Sequence, residues 1–191
     1  MEWVLLLSVV SVLWGRLYAD DACIRPGPRH KLLLLWECCT FPRDVIPDGA
    51  VYKIKKCFTN HHQHEGLELE DQKDDHLCSA ECGFAQNNLL DSNKELNRSA
   101  ILGLFSTTGI SDLQPVLLSS VNRCFSSYTR DVDPSKKCKS GSWEFLQCFM
   151  RETFLKCPAS LWVTNSYCDN MKVRVIRCPS QPMVLMPPPR E

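Results

Sequence analysis

The chain has 191 residues, 23% of them charged, and its 22 Lys and Arg balance 22 Asp and Glu. Such a surface sets up no net field to draw nucleic acid or an anionic membrane, so neither is expected as a partner. A chain of this length can bury roughly 70% of its unfolded surface, so its twelve cysteines are not needed merely to make it fold.

The N-terminal residues decide how those cysteines are read. Trp3 to Trp14 form an apolar run too short to span a bilayer, followed by Gly15, Arg16 and the small Ala19 before Asp20 and Asp21. This predicts a secretory signal peptide over residues 1–19, although its leading residues carry Glu2 and no base, and no stop-transfer pattern follows to suggest a membrane anchor. Secretion implies an oxidising, extracellular setting, where an even number of ordered cysteines reads as a disulfide framework. Cys23, Cys38, Cys39, Cys57, Cys78, Cys82, Cys124, Cys138, Cys148, Cys157, Cys168 and Cys178 are all expected to be bridged.

Residues 20–191 read as one domain with a core over about 45–180 and a proline-rich tail at 181–191, since no repeat or linker divides them. After the turn signal Pro47-Asp48-Gly49, Val51, Ile54 and Phe58 recur at helical spacing, with Cys57 near the helix end. Thr59 to Asp75 is polar and without period, which predicts a surface loop. Asp74 or Asp75 then caps a helix whose Cys78 and Cys82 share one face, a spacing that staples one helix to two neighbours. Ser92-Asn93-Lys94-Glu95 has the capping-box pattern, with Leu96, Ala100, Ile101, Leu104 and Phe105 as the stripe behind it and Gly109 as the stop.

A further helix starts near Asp112-Leu113-Gln114-Pro115 and carries Val116, Leu117, Leu118, Val121, Cys124, Phe125 and Tyr128. Asp133-Pro134-Ser135 and Gly141 punctuate the connection to the last strong helix. Ser142 is expected to cap it, and its apolar residues surround most of the circumference from Trp143 to Lys156, which predicts a central position. Cys157-Pro158 ends it. Beyond, Leu161-Trp162-Val163 and Val173 to Ile176 read as short β-branched segments, and Pro182 to Pro189 as a proline-rich tail. The fold class is all-α, a compact disulfide-bonded helical domain with irregular N- and C-terminal extensions.

The cysteine spacing resembles that of the insect odorant-binding proteins. Cys57 matches the family's first cysteine, Cys78-Ser79-Ala80-Glu81-Cys82 its C-x3-C pair, and Cys148-x8-Cys157 its last pair, while Cys124 or Cys138 takes the fourth position. The added Cys138 and Cys168 and the Cys157-Pro158 junction look like the Plus-C subgroup known from mosquitoes among other insects. The resemblance covers about residues 57–168. It implies the bridges Cys57–Cys82, Cys78–Cys148 and Cys124–Cys157, and leaves the other six cysteines without implied partners.

On the residues alone, the aromatic and aliphatic stripes of the helices fit an ordinary filled core. The resemblance implies instead an apolar pocket between helices, and the stripes nominate Leu104, Phe105, Leu117, Val121, Leu146, Phe149, Met150 and Phe154 as its ligand-binding residues. The expected function is a secreted carrier that takes small hydrophobic molecules, odorants or semiochemicals, through aqueous fluid to an olfactory receptor. No cofactor, membrane insertion or catalytic residue is expected, and the chain would be a monomer or homodimer. The alternative is a disulfide-rich secreted inhibitor or toxin-like protein-binding module, which would present a constrained loop over a smaller core than these stripes supply.

Enzymatic readings lack their parts. Cys38-Cys39 is shared with secreted phospholipases A2, but the His-Asp helix and glycine-rich calcium loop that must accompany it are missing, and there is no Gly-x-Ser-x-Gly or Cys-x-x-Cys. His61, His62 and His64, with Asp74, Asp75 and His76 nearby, could capture zinc or copper, but nothing preorganises a closed tetrahedral site, so no metal is assigned. The same histidines titrate between about pH 7 and 5 and could serve a ligand-release switch. Asn97-Arg98-Ser99 is an N-glycosylation sequon, which makes Asn97 a candidate acceptor.

Overall fold

The computed structural model of the chain describes residues 35–41, 48–61, 69–106, 111–179 and 182–183. The expected signal peptide, Cys23, Gly109, His62, His64 and most of the proline-rich tail lie outside these residues. Among the described residues the structure is helical: α1 (Leu35–Cys38), α2 (Asp48–His61), α3 (Leu69–Gln86), α4 (Arg98–Ser106), α5 (Gln114–Phe125), a 3-10 turn (Tyr128–Arg130), α6 (Ser142–Leu155) and α7 (Ser166–Arg177). It is an all-α, disulfide-bonded fold, as the sequence predicts.

Two polar stretches expected to be loop are helix. α2 runs on to His61 and α3 begins at Leu69, so Asp74 and Asp75 lie inside α3 rather than at its cap. The residues before them include Glu70, Gln72 and Lys73, which favour helix without supplying an apolar period, and acidic groups in a first turn suit the helix dipole. α2 and α3 pack closely where Gly83 meets Ile54: a Cβ at Gly83 would lie 3.2 Å from Ile54 Cγ1. Asn87 donates its side-chain N–H to Gly83 O at 2.8 Å and to Ala50 O at 3.3 Å, fastening the same pair.

The capping box at Ser92 is not used. Asp91 Oδ1 instead accepts from the backbone N–H of Asn93 at 2.8 Å and of Glu95 at 2.9 Å, closing a turn in which Lys94 has φ 63°. Leu90 and Leu96 pair across this turn. α4 therefore starts at Arg98, and Asn97 accepts from Ala100 N–H at 3.1 Å. α5 begins where expected, with Pro115 in its first turn.

At α6 the residue at the N-cap is Gly141, with φ 77°, while Ser142 is the first helical residue and its hydroxyl pairs with Ser140 Oγ at 2.8 Å. α6 packs on α3, α5 and α7, which gives it the central place its all-round apolar surface predicts. It is not the last helix. Val173 to Ile176, expected as a β-branched segment, lie in α7, where the cap overrides β-propensity: Asn165 Oδ1 accepts from Cys168 N–H at 2.8 Å. Asp169 in its first turn and Arg174 and Arg177 in its last match the helix dipole, and Cys168 and Val175, two turns apart, are buried. Leu161 to Val163 do pair with the N-terminal strip: Cys39 and Trp162 form an antiparallel bridge, flanked by Thr40 N–H to Leu161 O at 2.9 Å and Val163 N–H to Cys38 O at 2.8 Å.

The bridges correct two of the three implied pairs. Cys57 joins Cys82, as implied, at the α2–α3 contact. Cys78 joins Cys138 rather than Cys148, because the loop after the 3-10 turn returns Cys138 across α3. Cys124 joins Cys148 rather than Cys157, since α5 and α6 pack directly and bring those two Cα atoms to 5.7 Å. Cys157, past the end of α6, is left to Cys39, and Cys38 takes Cys168 of α7. Cys178 is also bridged. One apolar cluster runs through these elements from Cys38 to Met183.

Candidate functional site

α4, α5 and α6 meet in the largest aromatic gathering among the described residues. Phe149 of α6 stacks on Phe105 of α4 with ring centres 5.0 Å apart, and Phe145 lies 6.2 Å along α6 from Phe149 in a parallel plane. Phe145 also meets Phe125 of α5 at 4.9 Å, Tyr128 at 6.1 Å and Phe84 of α3 at 6.1 Å. Burial, and then the carboxylates of Glu95 and Asp91, hold the Tyr128 phenol above its ordinary range, so it remains a neutral hydroxyl. The Arg98 guanidinium caps the outside, 5.9 Å from the centre of the Phe125 ring.

The eight residues nominated from sequence all belong to this cluster or pack against it. Phe105, Leu117, Val121, Leu146, Met150 and Phe154 are buried, and Leu104 and Phe149 are half-buried at its edge. They do not all face one space. α6 turns about 100° per residue, so Phe149 and Phe154 project roughly 140° apart. Phe149 goes to α4, whereas Phe154 packs edge-on against Trp162 at 5.4 Å, toward α7. Phe84, Phe145 and Met183 are among the cluster's residues that sequence reasoning did not nominate. Phe84 and Phe145 were legible as apolar helix positions, but nothing local marks Met183, which is buried because Gln147 of α6 clasps its backbone. Gln147 Nε2 donates to Met183 O at 3.1 Å, and Met183 N–H donates back to Gln147 Oε1.

A concavity elsewhere in the fold is rimmed by charged groups. An open cleft of about 470 Å³ lies over α3 and the loop after it, lined by Cys78, Cys82, Ala85 and Leu90 with Glu81, Asp91, Lys94 and Lys137 around them. Glu81 is held by Lys94 at 3.8 Å and by Ser140 N–H at 3.2 Å. The cleft is open and charged at its rim, so it would enclose an apolar ligand only in part.

Of the histidine and carboxylate set, His76 stacks on Trp143 at 5.2 Å between α3 and α6, and Asp74 pairs with Lys136 at 3.1 Å. Among the described residues no three potential ligands gather to hold a metal ion. No helix among them is long and apolar enough to cross a membrane. Asn97 is half-buried, its Oδ1 engaged by Ala100 N–H and by Ser99 Oγ at 3.1 Å.

No known protein-family profile matches the chain. A comparison with characterised proteins finds a relative along nearly the whole chain. The chain is similar to Odorant-binding protein 47 of Anopheles gambiae. The two are 24% identical over 189 residues, covering 91% of this chain and 79% of the mosquito protein. Together with the helical, multiply bridged fold, this similarity supports a relationship to the insect odorant-binding proteins.

Proposed function

We propose that the chain is a secreted carrier of small apolar molecules, odorants or related semiochemicals, of the Plus-C type, delivering them through aqueous fluid to an olfactory receptor. The similarity to an odorant-binding protein along most of its length carries this reading, and it favours a binding role over catalysis. Five described disulfides are consistent with an oxidising, extracellular setting. The ligand lies at the α4–α5–α6 junction among Leu104, Phe105, Leu117, Val121, Leu146, Phe149 and Met150, and Phe154, which packs on Trp162, falls outside it. Half-buried Leu104 and Phe149 form its outer edge. Met150 is unbranched and can adapt to ligand shape. About 250 Å² of apolar ligand surface removed from water contributes roughly 6 kcal/mol before losses of motion, which fits micromolar affinity and loose selectivity.

Displacement of a fluorescent apolar probe by a panel of volatile compounds tests the function. Micromolar displacement by several of them is expected, and no binding of probe or panel would overturn the carrier reading. Met150→Trp tests the placement. A bulkier side chain in a space the ligand uses should lower probe affinity about tenfold or more and lower the melting temperature only slightly. Affinity within about twofold, with a collapsed melting temperature, would put Met150 in a filled core and the pocket elsewhere.

A further inference from the structure

The buried stripe of α5 carries a hydroxyl that the fold does not use. Leu117, Ser120, Val121 and Cys124 follow one another at helical spacing, and all four are essentially inaccessible to solvent. Ser120 is 0% exposed and its Oγ has no hydrogen-bond partner. Asp74 Oδ1 is the other buried side-chain oxygen without a hydrogen bond among the described residues, and it has the Lys136 ammonium at 3.1 Å. Ser120 has no such ion pair.

Other hydroxyls on these helices are satisfied by their own backbone. Ser119 donates to Val116 O at 3.0 Å, Ser106 to Gly103 O at 2.9 Å, and buried Thr153 to Phe149 O at 2.7 Å. An unpaired hydroxyl in an apolar interior is destabilising, by about 1–3 kcal/mol, and one held in a native structure calls for a partner. Its neighbours on the stripe place it in the proposed site. Leu117 and Val121 belong to the apolar junction, and Cys124 fixes the stripe to α6 through Cys148.

We infer that the Ser120 hydroxyl is the polar contact for the bound molecule, so that the preferred ligands are apolar bodies bearing one small hydrogen-bonding group: an alcohol, aldehyde or ketone. A hydroxyl both donates and accepts, so it serves a carbonyl oxygen and an alcohol alike. This rests on the carrier reading and names the chemistry of its ligand. A site that is apolar apart from one placed polar group orients its ligand without demanding a single structure.

An isosteric pair of competitors separates the two claims. Benzyl alcohol and ethylbenzene have similar shape, and only the first can bond to Ser120. Both should displace an apolar fluorescent probe from the wild-type protein. Ser120→Ala should weaken benzyl alcohol roughly fivefold, the worth of one neutral hydrogen bond, and leave ethylbenzene unchanged. Its melting temperature should hold or rise, since the substitution removes an unsatisfied buried hydroxyl. Ser119→Ala, one residue along, should change neither affinity. Equal loss of both competitors, or no loss of benzyl alcohol, would overturn the assignment of Ser120. Failure of benzyl alcohol to displace the probe from the wild-type protein would overturn this inference, and failure of the probe itself to bind would overturn the carrier reading with it.

Discussion

Gly141 shows how one position sets the start of the central helix. Its φ of 77° is a left-handed conformation that glycine adopts freely, and a Cβ there would come within 2.6 Å of Tyr128 Cδ2 and closer still to Cε2. The ring cannot step aside, because Phe125 and Phe145 meet it edge-on at 5.8 and 6.1 Å. Gly141→Ala combines backbone strain with a steric clash, so thermal or urea unfolding should show a loss of about 2 kcal/mol or more. The same closeness explains why Ser142 is not the cap: Gly141 already makes the turn, and its carbonyl accepts the Phe145 N–H at 2.9 Å.

At the scale of elements, α7 is where local signals divided. Val173, Val175 and Ile176 favour a strand, and without neighbours they read as one. Asn165 and the burial of Cys168 and Val175 decide for a helix, and Asn165→Ala tests that cause. It removes the acceptor for Cys168 N–H and should lower stability by about 1 kcal/mol in chemical unfolding. No change would mean that the bridge to Cys38 alone holds the helix. The long apolar stripes of α4, α5 and α6 were legible because each repeats over several turns. The polar start of α3 was not, since Glu70 to Lys73 carry no apolar period. The candidate site divides in the same way: spacing picked out residues that meet at the α4–α5–α6 junction, but the different neighbours of Phe149 and Phe154 and the unpaired Ser120 hydroxyl depend on how helices pack.

Over the whole molecule, adjacent Cys38 and Cys39 hold the end of α6 and the start of α7 through bridges that span 130 and 118 residues. Loops of that length constrain the unfolded chain strongly, yet no local feature announces them, so spacing could show only that Cys78 and Cys82 serve different partners. The chain then returns past Cys178 to α6. Met183, 1% exposed, fills part of the apolar cluster while the Gln147 amide pairs with its backbone at both N–H and C=O. On this ground Met183 is expected to stay on its own chain rather than on a second copy. A mature chain ending at Pro179 keeps α7 and Cys178 but loses Met183, and burial of a methionine side chain is worth about 1.5–3 kcal/mol. Its melting temperature should therefore fall by several degrees, and light scattering should report a monomer with and without the segment. A dimer in the longer chain that disappears on truncation would show that these residues bind another molecule and that the clasp is not their resting place in solution.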